Sequence, residues 1–571
     1  MWKGMSTITE CITEKSKDNK NIFRIKKDNK WIYIGSKYSV SRDVDNFINK
    51  TLKIINDEQL LVIFGLGAGE HIIKLLSYLS QQNKVIIIEP NNSVINSFRQ
   101  LGYYKEIILD KRIEIARYDS IILENIISKY INNMINMEFL IYANYDKIYN
   151  KEILKTIEIL KKYKKDKSLE NNTLINCGKN NWINYVNNLN SIINSIPINN
   201  IKDLYKGKSA IIVSAGPSLD KNIYLLKEYR ENFIIICGLR TLKPLLDIGV
   251  KPDFICVIDF GDKIYELGHP FLNFNIPLVY HIASNYNFIR EYKGPKIFFN
   301  TYNIEKNYLD NLINKKVDSI IQGGSVAHVC MGLAIYLGCN NIIFIGQDLA
   351  YTGERLHSNS STLETEGGNI GMYDDNIYVD GINGNKVRTS CELDAYRRYI
   401  EFYIHMLKNI NFINSTEGGA NIKGTKVMPL KESLNKYGKF VSKKNIEQLC
   451  EKFYIDKNYA ILKINNIKDY IEEDIKNAEE YFKNLSKNSI DSKSIKIYIE
   501  AILSHKYWDF IYWIIYPVIL KSNNKQFYTK FSMNKDEKIN VIKNKYHFLL
   551  SSIENELEGA LNILNKLEVE D

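Results

Sequence analysis

Unbroken apolar runs, each followed by a turn and an amphipathic stretch, dominate the first three quarters of the chain. Residues 60–64 form such a run, a glycine-rich turn follows, and apolar positions recur at helical spacing over 71–79. A second run at 84–88 ends in Glu89. Short apolar runs bounded by turns are typical of strands buried on both faces of a parallel sheet. The pattern predicts a β-α-β unit, with a further strand at 139–142 and an antiparallel element around 31–34.

A second series of the same kind begins near residue 208 and predicts a doubly wound parallel sheet. The unit begins with the segment 208–220, and the strand candidates that follow are 233–237, 254–258, 278–281, 296–299 and 341–345. An Asn-rich helical pattern over 150–195 connects the two series, and after about 430 glycines become rare and the spacing is helical throughout. The predicted fold class is therefore α/β with an all-helical C-terminus. The predicted domains are a Rossmann-like domain with its helical connector (1–195), a central doubly wound α/β domain (196–430) and a helical domain (431–571).

Composition and charge narrow the class of protein. At about 100–200 residues per domain, 571 residues predict several domains. A hydrophobic content of 45% and a charged content of 25% are usual for globular proteins and exclude a disordered or collagen-like chain. The net charge of +10 is spread along the chain, and the basic run 161–167 has too few aromatic residues for a base-stacking platform. No nucleic-acid partner is predicted.

Cysteine usage and apolar segments indicate the compartment. The eight cysteines include no C-x-x-C pair, and several lie in apolar runs, which is typical of reduced core thiols. The first residues lack the apolar stretch of a signal peptide. The most apolar late segment, 510–520, is shorter than the roughly 20 residues a membrane helix needs, and Pro517 interrupts it. We expect a cytoplasmic protein without a membrane partner.

A glycine-rich turn follows the first buried strand. Gly65, Gly67 and Gly69 precede a helix, and Glu89 ends the next strand. Glycines at this place let a ligand approach the backbone, and an acid there binds a ribose hydroxyl. The arrangement resembles the nucleotide site of Rossmann methyltransferases and predicts a nucleotide-like pocket. The alternative is a retained scaffold whose glycines serve tight helix–strand packing.

The loop 214–220 carries a more specific pattern. Gly216 predicts a turn of unusual backbone geometry, and Pro217 suits the first turn of a helix. Ser218 is a candidate helix cap, and free N–H groups of the loop are candidates for holding a phosphate. The alternative is a plain strand-to-helix turn.

A second glycine loop opens a helix near residue 329. Its residues are candidates for holding the same phosphate or a sugar: Gln322, Gly323, Gly324 and Ser325. His328 falls on the helix itself, where a core histidine is the alternative to a functional one.

Polar residues follow several predicted strands, where ligands bind to parallel sheets. Gln347, Asp348 and Tyr351 follow the strand 341–345, and His357 lies in the next polar loop. A histidine with a near-neutral pKa is a candidate general base. An exposed loop histidine is the alternative.

Acids and amides end two further strands. Asp259 and Asp262 follow one strand and are candidates for a metal or for ribose hydroxyls, but no third ligand is evident, so no metal site is predicted. Asn414, Thr416 and Glu417 form a polar glycine loop after the strand-like 411–413 and are candidates for closing the pocket.

These residues in combination resemble the motility accessory factor (Maf) family, the bacterial glycosyltransferases that modify flagellin. The resemblance rests on 214–220, Asp259, 323–325, 346–351 and 414–420, and it covers roughly 200–430. The central domain of that family is similar to a bacterial sialyltransferase fold.

The resemblance implies transfer of a nonulosonic acid (sialic, legionaminic or pseudaminic acid-like) from its CMP-activated form to Ser or Thr of flagellin, in support of flagellum assembly and motility. It implies no cofactor, because the CMP-sugar is a substrate, and no requirement for Mg²⁺. The phosphate would lie over 216–218 and 323–325, with Tyr351 stabilising the leaving group. His357, or else Asp348, would take the acceptor's proton, and Asp259 and Asn414 would hold the sugar or nucleoside.

The helical domain offers a candidate groove for flagellin helices, with core packing as the alternative. Its aromatic residues are Trp508, Phe510, Tyr512 and Trp513.

Three other functions remain open at this point. The pattern at 216–220 also occurs in archaeal pterin pyrophosphokinases, which would use ATP, Mg²⁺ and the acids Asp259 and Asp262. A non-catalytic flagellin-binding chaperone is a second alternative. A methyltransferase acting through Gly65–Glu89 is a third.

Overall fold

Parallel sheets organise the chain into two units. The computed structural model describes residues 10–119, 123, 126–127, 129–130, 136–300, 305–361, 377–450, 456–486, 492–505 and 507–567. The first unit comprises 1–178, 476–499 and 515–556, and the second comprises 179–475, 500–514 and 557–571. The division at 195 and 430 stays a prediction.

The first unit contains two sheets. A three-stranded antiparallel sheet is formed by β1 (Cys11–Lys15), β2 (Asn21–Lys27) and β3 (Lys30–Ile34). A four-stranded parallel sheet has the order β6-β5-β4-β7, made from β4 (Leu60–Phe64), β5 (Lys84–Glu89), β6 (Ile113–Arg117) and β7 (Met137–Ile141). Every residue of β4 is buried, as its apolar run predicts. The predicted β-α-β unit and antiparallel element are both confirmed.

Helices of the first part of the chain flank these strands and lead into a long connector. They are α1 (Val40–Thr51), α2 (Glu70–Leu76), α3 (Asn92–Phe98), α4 (Tyr104–Leu109), α5 (Tyr145–Ile148) and α6 (Asn150–Ile193). The helical pattern predicted for 150–195 is confirmed as the 44-residue α6.

The second unit is built on a nine-stranded parallel sheet of order β18-β17-β14-β9-β10-β11-β12-β13-β8. Its strands are β8 (Ile196–Pro197), β9 (Ser209–Val213), β10 (Ile234–Gly238), β11 (Phe254–Val257), β12 (Leu278–His281), β13 (Lys296–Phe299), β14 (Asn341–Ile345), β17 (Asn411–Asn414) and β18 (Lys426–Val427). A separate antiparallel hairpin pairs β15 (Ile377–Asp380) with β16 (Lys386–Thr389). The chain builds outward from β9 in one direction and returns at β14 to build in the other, so the topological switch point lies between β9 and β14.

Helices connect these strands. They are α7 (Leu239–Asp247), α8 (Lys263–Gly268), α9 (Tyr286–Glu291), α10 (Glu305–Leu312), α11 (Val326–Tyr336), α12 (Cys391–Met406) and α13 (Leu430–Tyr437). Short 3-10 helices occur at Pro217–Lys221 and Asn359–Ser361, among other places. The doubly wound prediction is confirmed.

The described part of the chain after α13 is helical. Its helices are α14 (Glu447–Cys450), α15 (Lys457–Ser486), α16 (Ser492–Ser504), α17 (Trp508–Ser522) and α18 (Lys535–Asn565). This confirms the predicted all-helical C-terminus. Within the ranges given above, no helix has the length and apolar character needed to cross a membrane.

Of the aromatic residues predicted to line a groove, one is buried in the helical packing and three are half-buried. Phe510 is 1% exposed and its ring contacts Trp182 and Tyr185. Trp508 packs edge-on against Tyr512 at 5.6 Å, and Trp508, Tyr512 and Trp513 are half-buried. Phe510 is therefore a core residue, whereas a groove lined by the half-buried Trp508, Tyr512 and Trp513 stays a prediction.

Candidate active site

A cavity of about 540 Å³ lies at the carboxyl ends of β9, β10, β11 and β14, across the switch point. This is where ligands bind in open α/β sheets, and the volume is usual for a small-molecule site. Eight residues predicted from the sequence line it: Gly216, Asp259, Gly324, Ser325, Gln347, Asp348, Tyr351 and His357. The structure therefore brings together polar residues from four separate loops.

Other predicted residues do not line this cavity, and they are Pro217, Ser218, Gln322, Gly323, Asn414, Thr416 and Glu417. Asn414 and Thr416 instead hold Gln347, which does line the cavity, through a chain of hydrogen bonds. The amide oxygen of Asn414 accepts the Thr416 N–H at 3.1 Å, and the Thr416 hydroxyl accepts the Gln347 N–H at 3.2 Å. Gln322 contributes its carbonyl to the Tyr399 hydroxyl, and Glu417 accepts from the Asn222 amide at 3.1 Å.

Ser218 binds a carboxylate rather than capping a helix. Its hydroxyl donates to Asp348 Oδ1 at 2.6 Å and its N–H donates to Asp348 Oδ2 at 3.2 Å. The Gly216 N–H donates to the Gly346 carbonyl at 2.7 Å, and the Leu219 N–H donates to the Gly216 carbonyl at 3.0 Å. The prediction that Ser218 caps a helix is wrong. The predicted phosphate site at this loop stays a prediction, and it is disfavoured because these three N–H groups have partners within the protein.

Gly216 is required by close approach and not by backbone geometry. Its φ of −65° suits any residue. A Cβ at this position would lie 2.3 Å from Asp348 Oδ1 and 2.5 Å from the Gly346 carbonyl oxygen. The predicted unusual geometry belongs instead to Gly346, whose φ is +61°.

Two carboxyl groups of the cavity have raised pKa values. Burial raises the pKa of Asp348, and the Ser218 hydroxyl opposes this by donating a hydrogen bond. Asp259 reaches solvent through the open cavity, yet the surrounding protein desolvates its carboxyl group and raises its pKa. Among the described residues, none is placed to donate a hydrogen bond to the Asp259 side chain.

The loop 214–220 also positions the segment that carries His357. Asp220 accepts the Asn359 N–H at 2.8 Å and the Ser360 hydroxyl at 2.6 Å. The Ala215 carbonyl accepts the Ser358 N–H at 2.8 Å. These bonds hold the residues that follow His357, whose half-buried ring lies on the cavity wall.

The second glycine loop packs against α12 as well as bordering the cavity. Ser325 caps α11 by accepting the Ala327 N–H at 3.3 Å. A Cβ on Gly323 would lie 2.2 Å from His328 Nδ1, and one on Gly324 would lie 2.7 Å from the Tyr396 ring. Burial lowers the pKa of His328 to about 4, so this histidine is a core residue.

Several lining residues were not singled out by the sequence analysis. Arg240 and Lys263 bring two cations to the cavity, and Glu392 and Tyr396 of α12 complete one wall. Arg240 lies in the first turn of α7, which directly follows β10, so the strand-end rule that selected Asp348 applies to it equally. No comparable signal marks α12.

The N-terminal glycine loop is filled by aromatic side chains. Gly65, Gly67 and Gly69 have φ values of +114°, +48° and +85°. A Cβ on Gly65 would lie 2.5 Å from the Tyr145 ring, and the Tyr145 hydroxyl accepts the Gly67 N–H at 3.0 Å. The ring therefore occupies the place where a nucleotide would approach.

Glu89 is engaged within the same loop. Its carboxylate accepts the Leu66 N–H at 3.1 Å, the Asn91 N–H at 2.9 Å and the Tyr145 hydroxyl. The side chain is fully buried, which raises its pKa to about 7. The predicted nucleotide-like pocket is wrong, and the alternative of a tightly packed scaffold describes the loop.

The acids considered for a metal separate in the structure. Asp259 lines the cavity, whereas Asp262 is not part of its lining and lies 3.4 Å from the Asn285 amide. In the part of the chain that the structure describes, no three His, Cys, Asp or Glu side chains are placed to hold a metal ion.

Some comparisons with known proteins match only part of the chain, and another matches nearly all of it. The MptE-like family, described as 6-hydroxymethylpterin diphosphokinase MptE-like, matches residues 183–354. A 6-hydroxymethyl-7,8-dihydropterin pyrophosphokinase from Methanocaldococcus jannaschii is 32% identical over 111 residues, which is 19% of this chain. The chain spans less than half of that relative, 45% of its length.

A solved structure matches nearly the whole chain. The Maf glycosyltransferase from Magnetospirillum magneticum AMB-1 aligns with 98% of this chain and 93% of its own, at a TM-score of 0.68 and 14% identity. This chain has the Maf glycosyltransferase fold. The resemblance to Maf proteins predicted from the sequence is therefore confirmed at the level of the fold. A spermidine synthase from Thermotoga maritima aligns with 24% of this chain and 48% of its own at a TM-score of 0.16 and 16% identity, too low to support an argument.

Proposed function

We propose that this protein is a glycosyltransferase that moves a nonulosonic acid (sialic, legionaminic or pseudaminic acid-like) from its CMP-activated form to Ser or Thr hydroxyls of flagellin. The observation that carries the proposal is the full-length Maf fold, whose switch-point cavity holds acids, a histidine and two cations. Modification of flagellin in this way would serve flagellum assembly and motility. The reaction would take place without a protein-bound cofactor.

The charges around the cavity suit such a donor. A CMP-activated nonulosonic acid carries one phosphate and one carboxylate, both anionic. Arg240 and Lys263 line the cavity, and the N-terminus of α11 at Ser325 adds a positive helix end. We place the phosphate near these groups and not on the loop at 216–218, because that loop's N–H groups are engaged.

The sugar-transfer reaction is assigned to residues that line the first cavity. A bond forms between the acceptor oxygen and the anomeric carbon, while the bond from that carbon to the phosphate oxygen breaks. The His357 imidazole takes the acceptor's proton, and CMP leaves with the electron pair. The Tyr351 hydroxyl and the cations stabilise the charge that develops on the phosphate.

The two carboxyl groups have different roles in this scheme. Asp348 is held by Ser218 through two hydrogen bonds and fixes the loop beside the reacting atoms. Asp259, which has no such partner among the described residues, binds a sugar or ribose hydroxyl.

Calorimetric titration with CMP tests the donor assignment. We expect CMP to bind, and we expect Arg240→Ala to weaken binding about tenfold or more through the lost charge. Arg99→Ala, on an exposed residue of the other unit, is the matched control. Wild-type CMP affinity in Arg240→Ala would contradict the placement of the phosphate.

The match to pterin pyrophosphokinases over 183–354 favours a second candidate, an ATP-dependent diphosphoryl transferase. Incubation with ATP, Mg²⁺ and 6-hydroxymethyl-7,8-dihydropterin tests it, and formation of AMP with pterin diphosphate would establish it. Binding of neither CMP nor ATP, with flagellin still bound, would favour a non-catalytic chaperone over both enzymes.

A further inference from the structure

A second cavity of about 390 Å³ adjoins the first within the same unit. Its walls come from the loop after Tyr351, the turn of the β15–β16 hairpin and the glycine loop after β17. The lining includes Tyr351, Glu354, Asn383, Lys386, Arg388 and Gly419. Tyr351 lines both cavities, so a single side chain forms part of the boundary.

The same boundary contains Asp348. Gly418 and Gly419 line the second cavity, and a Cβ on Gly419 would lie 2.2 Å from the Asp348 carbonyl oxygen. A Cβ on Gly418 would lie 3.4 Å from Asp348 Oδ2, while the Asp348 side chain lines the first cavity. The segment from Asp348 to Tyr351 therefore separates the two cavities, with the first, which suits the anionic donor, on one side and the second on the other.

The second cavity has the character of a site for polar polypeptide. Its charged lining residues have both signs, with Lys221, Lys386 and Arg388 against Glu354 and Glu417. Asn383 and Asn385 add amide groups that donate and accept hydrogen bonds. The aromatic ring on its wall, Tyr351, is covered by the Arg388 guanidinium at 5.0 Å, so it offers a poor stacking surface to a sugar or a pterin.

We propose that the second cavity binds the acceptor, a polar polypeptide segment whose Ser or Thr hydroxyl is presented across the Asp348–Tyr351 boundary to the donor. This inference rests on the proposed glycosyltransferase function and names the acceptor site for it. A hydroxyl held beside this boundary is close to the activated sugar in the first cavity, and that proximity favours direct displacement.

Variants that fill the second cavity without touching the first test the inference. Asn383→Trp adds bulk at an exposed turn residue, and Lys386→Trp does so at the start of β16, where it also removes an exposed ion pair with Asp380. Asn540→Trp and Lys30→Trp are matched controls on exposed residues outside both cavities. Each protein is assayed for CMP binding and for transfer from a panel of CMP-activated nonulosonic acids to purified flagellin and to a synthetic Ser/Thr peptide.

We expect both cavity variants to raise the acceptor KM about tenfold or more, with CMP affinity unchanged and the controls at wild-type values. A wild-type acceptor KM in both folded variants would overturn the acceptor site while leaving the function intact. An equal loss of CMP affinity would also overturn it, since the second cavity would then belong to the donor. Absence of CMP binding and transfer in the wild-type protein would instead refute the proposed function.

Discussion

Replacement of Ser218 by alanine separates a supporting role from a donor-binding one. Ser218 is fully buried, and its hydroxyl donates to Asp348 Oδ1 at 2.6 Å, a distance typical of a hydrogen bond to a charged acceptor. A hydrogen bond to a charged group contributes about 1.5–3 kcal/mol. The variant leaves Asp348, itself 2% exposed, without that donor. We therefore expect Ser218→Ala to lower the free energy of unfolding by about 1.5–3 kcal/mol.

The effect of this variant depends on pH with a defined sign. The Ser218 hydroxyl lowers the pKa of Asp348 against the raising effect of burial, so its removal raises that pKa further. A protonated Asp348 needs the donor less than a carboxylate does. The destabilisation is therefore largest at high pH and shrinks as the pH falls through the raised pKa of Asp348.

Urea unfolding of the wild type and Ser218→Ala at several pH values measures both quantities. Ser504→Ala removes an exposed helix hydroxyl and serves as the control, with an expected change within about 0.5 kcal/mol. Unchanged stability of Ser218→Ala, together with a large loss of CMP affinity, would refute the supporting role and return Ser218 to the donor site.

Three further predictions test other parts of the account. Gly216→Ala should lower the free energy of unfolding by about 1–3 kcal/mol, because its Cβ would lie 2.3 and 2.5 Å from neighbouring oxygen atoms. This cost exceeds the roughly 0.4–1 kcal/mol that the substitution gains by stiffening the unfolded chain. A higher free energy of unfolding in urea would contradict a steric cost at this position. Asp220→Ala should lower kcat about tenfold or more, because the segment after His357 loses its hydrogen bonds to the Asp220 carboxylate. The change in CMP affinity should be smaller. An unchanged kcat in steady-state kinetics would show that these hydrogen bonds do not matter for catalysis. Burial raises the pKa of Glu89 from 4.5 to about 7, so this residue contributes stability below about pH 4.5 that is lost as the pH rises through 7. Between these pH values, the free energy of unfolding of Glu89→Gln should therefore fall by about 3 kcal/mol less than that of the wild type. Parallel stability profiles of the two proteins would contradict the raised pKa.

The sheet interior could be predicted from the sequence because burial on both faces leaves a plain signal. β4, β9 and β14 each form a run of apolar residues between turns, and each lies inside its sheet. The edge strands β8 and β18 have two residues each and carry no such run. The β15–β16 hairpin was not predicted, because it forms a separate two-stranded sheet and lacks the apolar run of a strand buried in the parallel sheet.

The candidate site was predictable only as a set of strand ends. Asp348 and Asp259 were found because carboxyl ends of parallel strands meet at one edge. The role of Ser218 was not, because its partner Asp348 is 130 residues away and no local pattern records the pairing. The glycines at 65–69 misled for a related reason. A positive φ is required there whether the loop faces a nucleotide or, as it does, the Tyr145 ring.

The intact mass of flagellin after reaction tests the central proposal most directly. Purified flagellin is incubated with this protein and each CMP-activated nonulosonic acid, and mass spectrometry follows the flagellin while released CMP is measured in parallel. We expect one donor to add whole sugar residues at Ser or Thr, with one CMP released per sugar and no transfer by His357→Ala. No mass change and no CMP release with any donor, together with AMP formation from ATP and 6-hydroxymethyl-7,8-dihydropterin, would contradict the glycosyltransferase and establish the pyrophosphokinase.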